Sequence, residues 1–126
     1  MDHSHIVTRF DKDLNEIEAL LVKMADKVAL QIKQSAQALI NADDELAKSV
    51  AAEDSVINRL EEKIDEKAIR LIALRQPMAE DLRSAITTLK ISTSLERMGD
   101  YAKTMSFRIR KVDDFSPMKS VLRSIV

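Results

Sequence analysis

The chain has 126 residues, a third of them charged, and a formal net charge of −1. That length holds one domain with a core of its own, and the near-neutral balance excludes a global field that would draw in nucleic acid or an anionic membrane. One glycine, two prolines, 3% aromatic residues and no cysteine leave little material for turns between strands and none for thiol catalysis, disulfides or cysteine-ligated zinc.

Phe10, Leu14, Ile17, Leu21, Met24 and Val28 alternate spacings of four and three, which predicts a long first helix carrying a bundle seam. His3 and His5 precede that seam, in a terminus expected to fray. Asn41-Ala42-Asp43-Asp44 reads as a helix stop followed by a new N-cap, with acids suited to the positive end of a helix dipole. The second helix is expected to run to about Leu74, with Leu46, Val50, Ile57, Leu60, Ile64 and Leu71 on one stripe that Glu53 and Lys67 interrupt. Gln76-Pro77 ends it, because proline restricts the residue before it and has no N–H to donate. Proline is at home in a first helical turn, so a third helix can begin almost at once.

In that third helix Ile91, Leu95, Met98, Ala102, Met105, Ile109 and Val112 form a four-three seam. Leu82, Ile86 and Leu89 lie on a second face, whose register continues into Thr93, Glu96, Asp100 and Phe107. A helix apolar on two faces packs between two partners. Asp113-Asp114 and Ser116-Pro117 then break the pattern, and Met118 to Val126 reads as the start of a fourth helix. The expected fold class is therefore all-α, an antiparallel three-helix bundle over residues 5–112, followed by a linker and truncated fourth helix over 113–126. No apolar run approaches the ~20 residues that span a bilayer. The opening Met-Asp-His-Ser-His lacks the basic-then-apolar pattern of an export signal, so a cytoplasmic location is expected.

The chemistry concentrates in Glu96-Arg97-Met98-Gly99-Asp100, a carboxylate pair four residues apart around the one glycine of the chain. That spacing sets both acids on one helix face, about a turn apart. If the second and third helices fold back around Gln76 and Pro77, Asp54 falls opposite about Met98 and Asn58 opposite about Ser94. Glu96, Asp100, Asp54 and Asn58 then share one level of the hairpin. Carboxylate and amide oxygens favour magnesium, manganese, calcium or iron over zinc or copper(I). Asp81 lies about 22 Å along the helix from Glu96 and stands apart from this group. The competing reading puts the acid pair on a solvated face and makes Gly99 a close-packing position. No nucleophile sits beside a base and no glycine loop cradles a phosphate, so no enzyme is expected. Carboxylate-bridged di-metal enzymes add Glu-x-x-His pairs, and no histidine occurs beyond position 5.

Several segments in order resemble one repeat of the PhoU family, the phosphate-signalling regulators that accompany bacterial phosphate ABC transporters. They are His5-Ile6 with Phe10-Asp11, Asp54 to Leu60 (DSVINRL), Arg75-Gln76-Pro77 with Asp81-Leu82-Arg83, and Leu95 to Asp100 (LERMGD) before Ala102. The resemblance spans about residues 5 to 112. It implies a three-helix bundle, one repeat where typical members have two, and a divalent or iron-type metal (magnesium, manganese or iron) held by paired Glu/Asp-x-x-x-Asp motifs. Glu96 and Asp100 match one motif; Asp54 and Asn58 match the other with an amide in place of the second acid. The family also implicates the aspartate at Asp81. It further implies a regulatory adaptor between the phosphate ABC transporter and its sensor histidine kinase, reaching the membrane only through these partners. A lone repeat is expected to form a homodimer. The alternative is a cytoplasmic helical module of a phosphate transporter, with an interaction role and no metal site.

Overall fold

A computed structural model describes residues 3–108 and positions 121, 123 and 124. Three helices, α1 (His3–Asn41), α2 (Asp44–Arg75) and α3 (Ala79–Arg108), each pack against both others. This is the all-α three-helix bundle expected from the periodicity. Arg75 of α2 reaches Asp13 of α1 while Gln31 reaches Val50, so α1 and α2 are antiparallel. Met24 meets Ser92 and Ser35 meets Ala102, so α1 and α3 run in the same direction. No helix among the described residues is long and apolar enough to cross a membrane. Residues 109–120, 122, 125 and 126 lie outside the described residues, and with them Ile109 and Val112 of the expected α3 seam and most of the expected linker and fourth helix; Val121, Arg123 and Ser124 are helical.

The turns are built from capping bonds. Asp43 N–H donates to Ala38 O at 2.9 Å and Ala42 N–H to Leu39 O at 3.4 Å, the paired bonds of a Schellman motif. That motif needs a left-handed residue, and here Ala42 supplies it at φ 50°. Asp43 then caps α2, its carboxylate accepting from Leu46 N–H at 3.1 Å. At the other end Gln76 takes the left-handed position (φ 44°) and donates its N–H to Ile72 O. Pro77 lies two residues ahead of Ala79, in the link rather than in the first turn of α3 as expected.

The expected seam of α1 is present: Phe10, Ile17, Met24 and Val28 are buried and Leu14 and Leu21 half-buried. They form one cluster with Ile57, Leu60, Ile64, Ala68 and Leu71 of α2. The α2 seam is interrupted by charge at Asp54, which is 3% exposed, whereas Glu53 is exposed.

The α3 seam is met in part: Ala102 is buried and Leu95 and Met105 pack half-buried against the core, but Ile91 and Met98 do not lie inside. Its buried residues are Ala85, Thr88, Ser92, Gly99, Ala102 and Ser106, while Ile91 and Met98 are 42% and 45% exposed. Small side chains let this backbone approach its neighbours closely, and the larger apolar residues rotate to the flanks. At Gly99 a Cβ would stand 3.0 Å from Gln31 Oε1 and 3.6 Å from Ile57 Cδ1, which accounts for glycine inside a helix. Opposing Ile57 with Gly99 displaces the hairpin by about one turn from the expected register.

Ala42→Gly removes the left-handed penalty and is expected to stabilise the fold by about 1 kcal/mol in chemical denaturation. Gly99→Leu overpacks the contact with Gln31 and Ile57 and should lower stability by roughly 1–3 kcal/mol, with a reduced melting temperature.

Candidate functional site

The small-residue face of α3 turns its Glu96–Asp100 flank toward α2. Glu96 is half-buried and Asp100 exposed. Across the seam, Asp54 is buried among apolar neighbours on the inner face of α2. Its Oδ2 receives the Lys103 ammonium at 3.5 Å and the Asn58 amide N–H at 3.4 Å. Both partners reach the same oxygen, and Oδ1 is buried with none. A buried carboxylate oxygen without a partner forfeits solvation it had in water, so this corner of the site is electrostatically incomplete.

Two acids that the sequence reading passed over complete the flank. Glu61 interacts with Asp100 and Glu96 across the seam, and Asp65 lies one turn beyond it on α2. Their spacing of four was a legible signal, being the same Glu-x-x-x-Asp pattern as Glu96 and Asp100. The one-turn change of register brings Glu61 to the level that Asn58 was expected to hold. Asp65 Oδ1, like Asp54 Oδ1, is buried without a partner.

Three of these acids, Glu96, Glu61 and Asp65, hold their protons more tightly than usual. Burial, then a hydrogen bond to Asp100, then repulsion from Asp100, Glu61 and Asp54 push Glu96 up from 4.5 to about 7. Desolvation raises Asp65, and desolvation with repulsion from Asp65, Asp100 and Glu62 raises Glu61. The structure thus brings Glu96, Asp100 and Asp54 together. Asn58 is adjacent but exposed, and its amide nitrogen faces Asp54, so as placed it serves as a donor and not as the oxygen ligand expected. Asp81 is exposed in the first turn of α3, apart from the group.

Among the described residues, no three acidic or histidine side chains stand as a ready-made ligand set for a metal ion. What the site offers is hard oxygen donors, a surplus of negative charge and an orphaned buried carboxylate oxygen, and these fit a hard cation in donor chemistry.

A family model described as the PhoU domain matches residues 21–109. A Caulobacter vibrioides protein named phosphate-specific transport system accessory protein PhoU homolog is 40% identical over 121 residues, 96% of this chain and 53% of that protein. Proteins of the same name from Zymomonas mobilis (40% over 105 residues, 83% of this chain and 44% of the relative) and Clostridium acetobutylicum (38% over 105 residues, 82% and 48%) are also similar. The chain spans about half the length of the curated relatives it matches.

A glutamate whose folded pKa lies above its unfolded value adds stability that is complete below about 4.5 and lost as pH rises through about 7. Melting temperature should therefore climb on acidification through that window. Glu96→Gln should flatten the climb while leaving the fold as stable as the parent at its lower end; an unchanged profile would contradict the raised pKa.

Proposed function

The chain belongs to the PhoU family, and we propose on that premise that it is a metal-binding regulatory adaptor of phosphate uptake and phosphate-responsive signalling. It would couple the phosphate ABC transporter to its sensor histidine kinase at the cytoplasmic side of the membrane. Support comes from the relatives' names, which describe accessory proteins of phosphate-specific transport. An accessory role, not an enzymatic one, also suits the site. A bundle with long polar faces is a docking scaffold, and the lysine beside its acids forms an ion pair with Asp54.

The observation that carries the metal reading is the unpartnered Asp54 Oδ1 beside a flank of mutually repelling carboxylates. Glu96, Asp100, Asp54 and Glu61 would hold magnesium, manganese or iron, with Asn58 steadying Asp54. Asp81 would serve a separate site. The ion would supply positive charge that neutralises the acids and ties α2 to α3. Since Glu96 retains its proton to about 7, cation and proton compete, and affinity rises with pH through that range.

One observation favours a second reading. Lys103 already brings a cation to Asp54, so a metal-free helical module of a phosphate transporter could balance its acids with that ammonium and with protons. Elemental analysis of tag-free protein distinguishes the two, beside a Glu96→Ala/Asp100→Ala variant matched in helicity. Near-stoichiometric manganese, iron or magnesium in the parent alone supports the metal site. Equal, negligible metal in both at a pH above that of Glu96 sinks it and leaves the metal-free module.

A further inference from the structure

We propose that Lys103 is the resident counter-ion of Asp54 and yields it to a divalent cation, so that filling the α2–α3 site releases this ammonium into solvent. The inference deepens the metal reading above and rests on it. It starts from a carboxylate that needs a cation. The Asp54 side chain is 5% exposed and lies on the buried face of α2 with Val50 and Ile57. A buried ion without opposite charge is far costlier than a paired one. The Lys103 ammonium supplies that charge, 3.5 Å from Oδ2, and so joins α3 to α2. Among the described residues no other cation is ion-paired with the acids of this flank.

The contact is loose enough to exchange. Charge-assisted hydrogen bonds run at about 2.7–2.9 Å, and the ammonium stands well beyond that. The Lys103 side chain is 39% exposed, so its way out to solvent is already open. Holding a long flexible stem in one pose also costs side-chain entropy. Asn58 shares Oδ2 through its amide N–H, and Oδ1 stays buried without a partner. Lys103 therefore neutralises Asp54 while leaving one of its oxygens unused. A hard divalent ion brings more charge and takes several oxygens at once. Oδ1 and the neighbouring acids offer those oxygens, and Lys103 competes with the ion for charge alone.

Ammonium and divalent ion exclude each other. Oδ1 and Oδ2 belong to one carboxyl group, so two cations there would face each other across a single side chain. Burial weakens the screening between them. Their repulsion outweighs a long contact made by a tether that can swing away. Two consequences follow for the site. Its apparent affinity is the intrinsic one reduced by the fraction of chains in which Lys103 has left Asp54. Its occupancy is also carried to the surface, because Lys103 is not a ligand yet gains exposure when the site fills.

The test is calorimetric titration of the full chain with manganese(II) at a pH above that of Glu96, with helicity recorded for every variant. Lys103→Met keeps the stem and removes the charge, and it should bind manganese about tenfold more tightly than the parent. Lys103→Arg keeps the charge and should bind no more tightly than the parent. Lys90→Met, which alters an exposed lysine of the same helix, should match the parent. In the unaltered chain, acylation of Lys103 by an amine-reactive ester, read by mass spectrometry against Lys90, should rise several-fold on adding manganese. That readout decides the matter if Lys103→Met fails to fold. Binding by Lys103→Met alone also supports the exchange, with the lysine holding the site closed. Manganese bound by the parent with equal affinity in Lys103→Met, or with acylation of Lys103 unmoved, overturns the exchange and leaves the metal site standing. Manganese bound by neither chain overturns both.

Discussion

Close approach of α3 to its two neighbours is the constraint on which the rest of this molecule depends. Ala85, Ser92, Gly99, Ala102 and Ser106 present almost no side-chain volume to the interior. The third helix can therefore settle into the groove of a two-helix core whose large residues come from α1 and α2. Helices packed through small residues gain many short van der Waals contacts, and their larger side chains, such as Leu89, Leu95 and Met105, reach the core only from the side. Those of α3 go to its two edges. Toward α2 stand Leu89, Glu96 and Asp100; toward α1 stand Ile91 and Met98.

The same closeness brings polar groups into the interior, and most find partners across helices or within a turn. Ser35 Oγ–H donates to Ala102 O at 2.9 Å, Gln31 Nε2–H to Val50 O at 3.2 Å, and Ser106 and Thr88 bond back to their own helix. Each satisfied bond is worth about 1 kcal/mol net, while a lost partner inside costs more. Such bonds act mainly to fix register, because a slip of one turn would strand several donors at once. Gln31 shows the tension. Its nitrogen is satisfied, its Oε1 is buried without a partner, and that oxygen stands where a side chain at position 99 would begin.

Charge is divided among the three flanks in a way that bears on function. The α2–α3 flank gathers acids until one of them keeps its proton to about 7. Lys103 offsets part of that charge, yet it reaches only one oxygen of Asp54. The charge of such a flank depends on pH. The groove between α1 and α3 is mostly uncharged, with Leu21, Val22, Thr87 and Ile91 along it and Glu18 and Arg83 of opposite sign beside them.

The seam of α1, the cap pattern at Asn41 to Asp44, the stop at Gln76-Pro77 and the all-α class were legible in the sequence. Each is set by neighbours along the chain, through side-chain periodicity, side-chain caps and the missing N–H of proline. The pairing of Glu96 with Asp100 was legible for the same reason. The inner face of α3 was not. Hydrophobicity pointed to Ile91 and Met98, whereas the available space selected Ala85, Ser92 and Gly99, and space is a property of three helices together. Glu61 and Asp65 escaped because a one-turn error in the hairpin register put Asn58 at the wrong level. Local chemistry along the chain thus determined where helices begin, end and carry charge. Only packing decided which face turns inward, since closeness between helices depends on the volumes of residues far apart in sequence.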